Sequence, residues 1–408
     1  MKITLFTNEY PPRIYGGAGV HVEYLTRELS SLNGAGNDIS VLCFGDQKVH
    51  KGNVSVEGMH LNGDFPFPGG RHRKLLDTLC RNIMMVGAVS GTDIVHCHTW
   101  YTHLAGCLVK QMFRVPLVIT VHSLEPQRPW KEEQLGAAYK ASTWMERTAL
   151  ENADGIIAVS ESMRTAIHDL YGIPFAKIRT IPNGIDVQQY RPRPNHAILS
   201  RYHIKPDKPF ILFVGRITRQ KGLFHLLNAV RYVAPSAQVV LVAADPDTGE
   251  IAQEMTGRVR QAQTETAHEI IWVDRFVPRD DLITLYTHAA VFVCPSIYEP
   301  FGLINAEAMA CETPVVAAAV GGIREVVVSG ETGLTVPFAP MGPDNPEPRD
   351  PKRYAEHLAE AIQSLLASPD TMRSMGIKAR ARVIALFSWK TVAEKTLQFY
   401  RDLVQQQH

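Results

Sequence analysis

The absences in this chain narrow it first. No apolar run approaches the roughly 20 residues that a membrane-spanning helix needs, so membrane insertion is not expected. An excess of charge of either sign is also missing. With 42 Lys and Arg against 41 Asp and Glu, the formal net charge is +1, which gives neither nucleic acid nor an anionic membrane a reason to bind. Cysteine is sparse: the six, at 43, 80, 97, 107, 294 and 311, are scattered, and four lie in or beside apolar runs. That usage suits reduced thiols in a cytoplasm. Met1 leads straight into KITLFT without a basic segment and a long apolar stretch, so no secretion signal is expected and a cytoplasmic location is. Metal motifs are lacking as well. HCHTWYTHLAGC (96–107) gathers His96, Cys97, His98, His103 and Cys107 but shows neither C-x-x-C nor H-E-x-x-H spacing, and a strand followed by a helix would scatter the donors. No metal is expected. DPD at 245–247 follows a strand and contains proline, so it reads as a turn and not as an acidic pair for a cation.

What is present is an alternation of strand and helix, run through twice. At 408 residues the chain exceeds what one core usually supports, so two domains are expected. KITLFT (2–7), ISVLCF (39–44), DIVHCH (93–98), PLVITVH (116–122) and GIIAVS (155–160) are apolar runs without polar alternation, the pattern of parallel strands buried on both faces. Between the first two, Val22, Leu25, Leu29 and Leu32 recur at helical spacing. A second series follows in FILFVGR (210–216), QVVLVA (238–243), EIIWVD (269–274), AVFVCPS (290–296), TPVVAAAV (313–320) and GLTVPF (333–338). The stretch rich in proline and charge over 181–209 separates the two series, and APMGPDNPEPRDP (339–351) reads as a surface loop. In the last helix Ala393, Leu397, Tyr400 and Val404 make one apolar stripe. The fold class is α/β, with two doubly wound Rossmann-like domains expected to face each other across a cleft. The expected boundaries are 1–190, a linker at 191–206, and 207–389.

The candidate site residues stand at strand ends. Glu299 and Glu307 lie in SIYEPFGLINAEAMA, directly after VFVCPS. A strand ending at Ser296 puts Glu299 in the following loop, and a helix starting near Gly302 carries Glu307 in its second turn. Open α/β sheets bind ligands outside the carboxyl ends of their strands. Carboxylates there suit a hydroxyl-rich ligand, since each oxygen accepts charge-assisted hydrogen bonds. Upstream, Arg216 and Lys221 in GRITRQKG supply two cations. At ~4 Å each contributes up to ~4 kcal/mol of Coulomb energy at an effective dielectric of ~20, before desolvation. In a departing diphosphate that stabilisation grows as the bond breaks. In YGGAG (15–19), Gly16 and Gly17 let backbone approach a ligand ahead of a helix N-terminus, although the spacing is neither G-x-G-x-x-G nor a P-loop. His122 closes PLVITVH and is as compatible with a satisfied core histidine as with a site residue. Together these residues point to a nucleotide-sugar site.

With those strings in view, the chain resembles the retaining glycosyltransferases of the GT-B fold, the large family that includes bacterial glycogen synthases and sucrose synthases. NEYPPRIYGGAGVHVEYL, VHCHTW, ITVHSLEP, IPNGID, FVGRITRQKG, the PDTGE loop, PSIYEPFGLINAEAMA, VGGIREVV and FSWKTVAEKTLQFY carry the resemblance over essentially the whole length. GGAGVHV is most similar to the short actinobacterial-type glycogen synthases that use ADP-glucose. The resemblance implies that Arg216 and Lys221 bind the diphosphate and stabilise it as leaving group. It implies that Glu307 holds the ribose hydroxyls and Glu299 those of the transferred sugar, with backbone groups of Phe301, Gly302 and Leu303 on sugar and phosphates. Gly16 and Gly17 would close on the phosphates from the other domain, and His122 would lie against the donor sugar. Glu9, with His98 and Trp100, would lie toward the acceptor. The last helix, 390–408, would pack back on the first domain, and neither a cofactor nor a metal is implied. One departure stands out. Larger glycogen synthases carry lysine in a K-T-G-G string, whereas here Tyr15 precedes Gly16 and the nearest cation is Arg13.

The expected reaction is therefore hexosyl transfer with retention of the α configuration, through an oxocarbenium-like transition state. The donor is ADP-glucose or another nucleoside-diphosphate glucose, and the acceptor an α-1,4-glucan or glucose 1-phosphate. A double displacement through Glu299 is disfavoured, because Glu307 has a ribose to hold and no acid partner is left. UDP-glucose or GDP-mannose with a small acceptor, an epimerase of the same build, and a non-catalytic nucleotide-sugar binder remain open, as does assembly into a homo-oligomer.

Overall fold

A computed structural model of the chain describes residues 1–14, 16–32, 36–61, 72–132, 136, 138–342 and 345–406. It divides into two units, Met1–Gly184 with Trp389–His408, and Ile185–Ser388. In the first, β1 (Lys2–Thr7), β2 (Asp38–Phe44), β3 (Lys48–Lys51), β4 (Val54–Met59), β5 (Ile94–His98), β6 (Leu117–Val121), β7 (Gly155–Ala158) and β8 (Ile178–Thr180) form one sheet. Its order is β3-β4-β2-β1-β5-β6-β7-β8. All neighbours are parallel except β3 and β4. Strand order reverses between β1 and β5, so that is where a ligand crevice belongs.

The last helix, Trp389–Gln405, completes this unit's core. It buries Trp389, Val392, Ala393, Leu397, Phe399 and Tyr400 among Val22, Leu25 and Leu29 of helix Gly17–Ser31 and Ile3, Leu5 and Val41 of the sheet. Each of the larger apolar side chains contributes about 1.5–3 kcal/mol through the apolar surface it removes from water. Trp389 stacks on Tyr24 with centroids 5.4 Å apart and an interplanar angle of 2°. Gly184 passes beneath the indole, where a Cβ would stand 2.3 Å from a ring carbon.

The second unit holds β9 (Phe210–Arg216), β10 (Gln238–Ala244), β11 (Ile270–Val273), β12 (Val291–Cys294), β13 (Val315–Ala318) and β14 (Gly333–Val336). All are parallel, in the order β11-β10-β9-β12-β13-β14, and the switch point falls between β9 and β12. The segment 191–206 belongs to this unit and contains helix His196–Arg201. Its charges are anchored: Arg193 pairs with Asp280 at 2.6 Å, and Arg201 and Tyr202 both reach Asp281 at 2.7 Å.

Some elements differ from the sequence reading. Residues 339–351 are no mere loop, since β15 (Pro340–Gly342) and β16 (Asn345–Pro348) pair as an antiparallel hairpin. Proline is tolerated there because a two-stranded ribbon leaves outward N–H groups unneeded. Strands β3 and β4 and the three-residue β8 escaped notice because they lie toward the sheet's edges, where exposed KVHK has no apolar run to show. Among the described residues no helix is long and apolar enough to cross a membrane.

Candidate active site

In the second unit, β9 ends on Arg216 and the chain turns through Arg219–Lys221. Thr218 caps that turn by accepting the Lys221 N–H at 3.3 Å. Gly222 follows with φ 66°, and a Cβ there would stand 2.0 Å from the Pro295 carbonyl oxygen, so glycine is required on both counts. The turn aims Lys221 across the switch point: its Nζ lies 2.7 Å from Glu299 Oε2, in the loop after β12. Ser296 donates its hydroxyl to the same oxygen at 3.3 Å. Burial opposes the lysine's charge, but Glu299 beside it holds the ammonium above its ordinary value. Arg216 Nη2 pairs with Asp247 Oδ1 at 2.8 Å, the arginine side chain half exposed and the aspartate carboxylate far less so.

The loop carrying Glu299 is fixed by its backbone. Gly322 donates its N–H to the Glu299 carbonyl at 3.0 Å, and Gly321, at φ 46°, would place a Cβ 2.2 Å from that oxygen. Phe301 is buried edge-on to Phe387, and Gly302, at φ 102°, precedes helix Leu303–Ala310. Asn305 in that helix is fully buried, with neither amide atom hydrogen bonded among the described residues. Glu307, five residues into the helix, accepts from Tyr286 Oη at 3.1 Å and also from Tyr190. Burial raises its carboxyl above the usual range, while the two phenols pull it back.

In the first unit, Glu9 follows β1 and is buried. Its Oε2 accepts the Gly16 N–H at 2.8 Å, so one of the amides ahead of helix Gly17–Ser31 is held by a carboxylate of the chain itself. Three histidines of this unit meet one another: His98 at the end of β5, His122 just after β6, and His21 from helix Gly17–Ser31. His98 Nδ1 lies 3.1 Å from His122 Nε2, and His21 Nδ1 lies 2.8 Å from Asn183 Oδ1. Burial lowers all three, His21 to about 4.

Residues 15–189 match the family described as Glycosyltransferase Family 4, and residues 196–342 the family described as Glycosyl transferases group 1. The α-maltose-1-phosphate synthase of Mycolicibacterium smegmatis is 42% identical over 408 residues, covering 99% of this chain and 100% of that one. The glycogen synthase of Mycobacterium tuberculosis is 31% identical, covering 98% and 94%. A solved sucrose-phosphate synthase from Thermosynechococcus elongatus superimposes with a TM-score of 0.78 at 28% identity, covering 98% of each chain. The chain is a GT-B glycosyltransferase.

For this glycosyltransferase the structure sorts the residues singled out from sequence. Lys221 and Glu299 touch, and Arg216 ends the strand beside them but is engaged by Asp247. Phe301, Gly302 and Leu303 form the turn into the helix that carries Glu307. In the first unit Trp100 is buried and stacks on Tyr101 with centroids 4.1 Å apart. His96 is a satisfied core residue, bonded to Tyr400 Oη at 2.5 Å and Thr120 Oγ1 at 2.7 Å. Tyr15 lies outside the described residues. Sequence reasoning missed Asp247, Ser296, Asn305, Tyr190, Tyr286 and His21. Only Asp247 carried a signal, in the DPD turn; the others meet their partners through tertiary packing, His21 within the first unit and the rest within the second.

Proposed function

We propose that this glycosyltransferase moves glucose from ADP-glucose, or another nucleoside-diphosphate glucose, to glucose 1-phosphate or to the non-reducing end of an α-1,4-glucan, with retention at the anomeric carbon. The observation that carries the reading is the Lys221–Glu299 pair at the switch point of the second unit. It sets a cation suited to a diphosphate against a carboxylate suited to sugar hydroxyls. Full-length similarity to an α-maltose-1-phosphate synthase and a glycogen synthase supports the choice of sugar and acceptors.

In the proposed reaction the bond between the anomeric carbon and the β-phosphate oxygen breaks, and its electron pair leaves with the diphosphate. Lys221 and Arg216 stabilise that growing charge, so the leaving group calls on no metal. The acceptor hydroxyl adds on the face being vacated and gives its proton to a phosphate oxygen. Glu299 orients sugar hydroxyls and Glu307 the ribose, while backbone groups of Phe301, Gly302 and Leu303 contact sugar and phosphates. Gly16, Gly17 and His122 are assigned to the donor, and Glu9, His98 and Trp100 to the acceptor, on the family likeness and on their place beyond the carboxyl ends of the first sheet. A cytoplasmic location fits substrates of this kind.

A matrix of donors and acceptors tests the reading. ADP should be released from ADP-glucose only when α-1,4-glucan or glucose 1-phosphate is present, and the product should carry a new α-1,4 linkage. Conversion of donor without acceptor would replace transferase by epimerase, and binding without turnover would leave only a nucleotide-sugar binder.

A further inference from the structure

Three imidazoles of the first unit converge. His21, His98 and His122 each bring a ring nitrogen within 4.8 Å of those of the other two. Their ring centroids lie 4.8 Å (His21–His122), 5.3 Å (His21–His98) and 5.4 Å (His98–His122) apart. Three separate elements deliver them, so the convergence is built by the tertiary fold and was invisible to sequence spacing.

The hydrogen bonds around the group resemble those that prepare histidines for a metal. Asn183 accepts at Oδ1 from His21 Nδ1 at 2.8 Å, which leaves the lone pair of that ring on Nε2. Histidine ligands characteristically donate their second ring N–H to such an oxygen, which fixes tautomer and orientation. His98 is fully buried and its Nε2 has no hydrogen-bond partner among the described residues. Trp389 closes one side, edge-on to His21 at 5.2 Å. His122 is the least buried of the three.

We propose that His21, His98 and His122 form a binding site for a divalent transition ion of the zinc class, and that its occupation blocks transfer. Imidazole is a ligand that suits zinc, copper and nickel, whereas magnesium and calcium prefer oxygen donors. Three histidines with one open position are a recognised zinc donor set. Tetrahedral ligands at about 2.1 Å stand about 3.4 Å apart, so the site tightens on binding, and the shared hydrogen bond between His98 and His122 gives way to the ion. Ion binding rests on this geometry alone. Inhibition rests on the proposed role of His122 toward the donor.

The full chain, stripped with chelator, is titrated with Zn2+ by calorimetry and with Co2+ by visible absorption. One equivalent should bind, with the intense d–d bands of low-coordinate Co2+. His21→Gln and His122→Gln should each weaken binding at least tenfold, and Asn183→Ala about tenfold. His196→Gln, in the second unit, should leave binding unchanged. Circular dichroism and thermal melting establish that the variants fold. Absence of a stoichiometric site, or one indifferent to His21→Gln, overturns the proposal. In activity assays Zn2+ should inhibit the wild type and lose at least tenfold in potency against Asn183→Ala. A chelated enzyme that is inactive until Zn2+ is restored overturns the inhibitory role. The calorimetric and optical readouts hold whether or not glucosyl transfer is ever detected, so failure here is separable from failure of the transferase reading.

Discussion

Lys221 Nζ and Glu299 Oε2 stand 2.7 Å apart, a part-buried ion pair that joins the turn after β9 to the loop after β12. Truncating the lysine removes the charge assigned to the leaving group and leaves Glu299 without its counter-ion. Lys221→Ala should therefore lower kcat by about 10²–10³, the usual effect of deleting one donor to a developing anion. Unfolding should show a loss of about 3 kcal/mol from the unpaired carboxylate, with the far-ultraviolet circular dichroism retained. Near-normal turnover would remove Lys221 from the mechanism.

Arg216 and Asp247 form the second contact between a site cation and an acid. The Asp247 carboxylate is far less exposed than the Arg216 guanidinium, so the aspartate is the fixed partner and orients the arginine. Asp247→Ala should lower kcat/KM about tenfold, equivalent to about 1.4 kcal/mol, with little change in thermal stability. Arg216→Ala should cost more. An Asp247→Ala enzyme with higher kcat/KM would show that the aspartate competes with the donor for Arg216.

Glu307 shares its carboxylate with Tyr286 and Tyr190. Both phenols donate to the charged form and so oppose the rise that burial causes. Tyr286→Phe should raise the donor KM about tenfold, since a hydrogen bond to a charged group contributes about 1.5–3 kcal/mol. It should also move the acid limb of the KM profile to higher pH, because losing a donor raises the carboxyl further. An unchanged limb would mean that Tyr286 does not tune Glu307.

The strand–helix alternation was legible because parallel strands buried on both faces leave continuous apolar runs such as FILFVGR and VFVC. The positions of the candidate residues were legible for a related reason: Arg216 ends such a run, Lys221 and Glu299 follow one in the next turn or loop, and Glu307 lies in the helix after that loop. Asn305 and Tyr286 were not, since a single polar or aromatic residue inside a helix gives no periodic signal of what it meets. Tyr190 sat in a segment whose proline and charge read as a linker, yet Arg193 and Arg201 tie that segment down through Asp280 and Asp281. His21 faces inward on the same apolar helix as Val22 and Leu25, so only the fold could bring it to His98.

Glu146 links the pH of the medium to the stability of the first unit. Its buried carboxyl accepts from the Glu125 N–H at 3.0 Å and from Tyr171 Oη. Burial, then the neighbouring Glu125 carboxylate, push it from 4.5 up to about 8. The folded chain thus binds a proton that the unfolded chain releases from about pH 4.5 upward. Its contribution is fully present below that pH and is lost as pH rises through about 8, with a limiting slope of about 1.4 kcal/mol per pH unit. Glu146→Gln should flatten urea-unfolding stability between pH 5 and 8. A slope equal to that of wild type would assign the proton elsewhere.

Trp389 opens the last helix, is 3% exposed, and lies flat on Tyr24 with Gly184 against its other atoms. Because this helix covers apolar residues of the first sheet and of helix Gly17–Ser31, the stability of the first unit depends on residues at the far end of the chain. Trp389→Ala should cost about 3–5 kcal/mol, the range for emptying a packed aromatic site. Gly184→Ala approaches the same loss from the opposite side, since its Cβ would meet the indole at 2.3 Å and backbone or ring must shift. Trp389→Ala combined with Gly184→Ala should then destabilise less than the sum of the two, as the smaller side chain at 389 makes room for the methyl group. Strict additivity in urea unfolding would show that Gly184 and Trp389 do not share one packed volume.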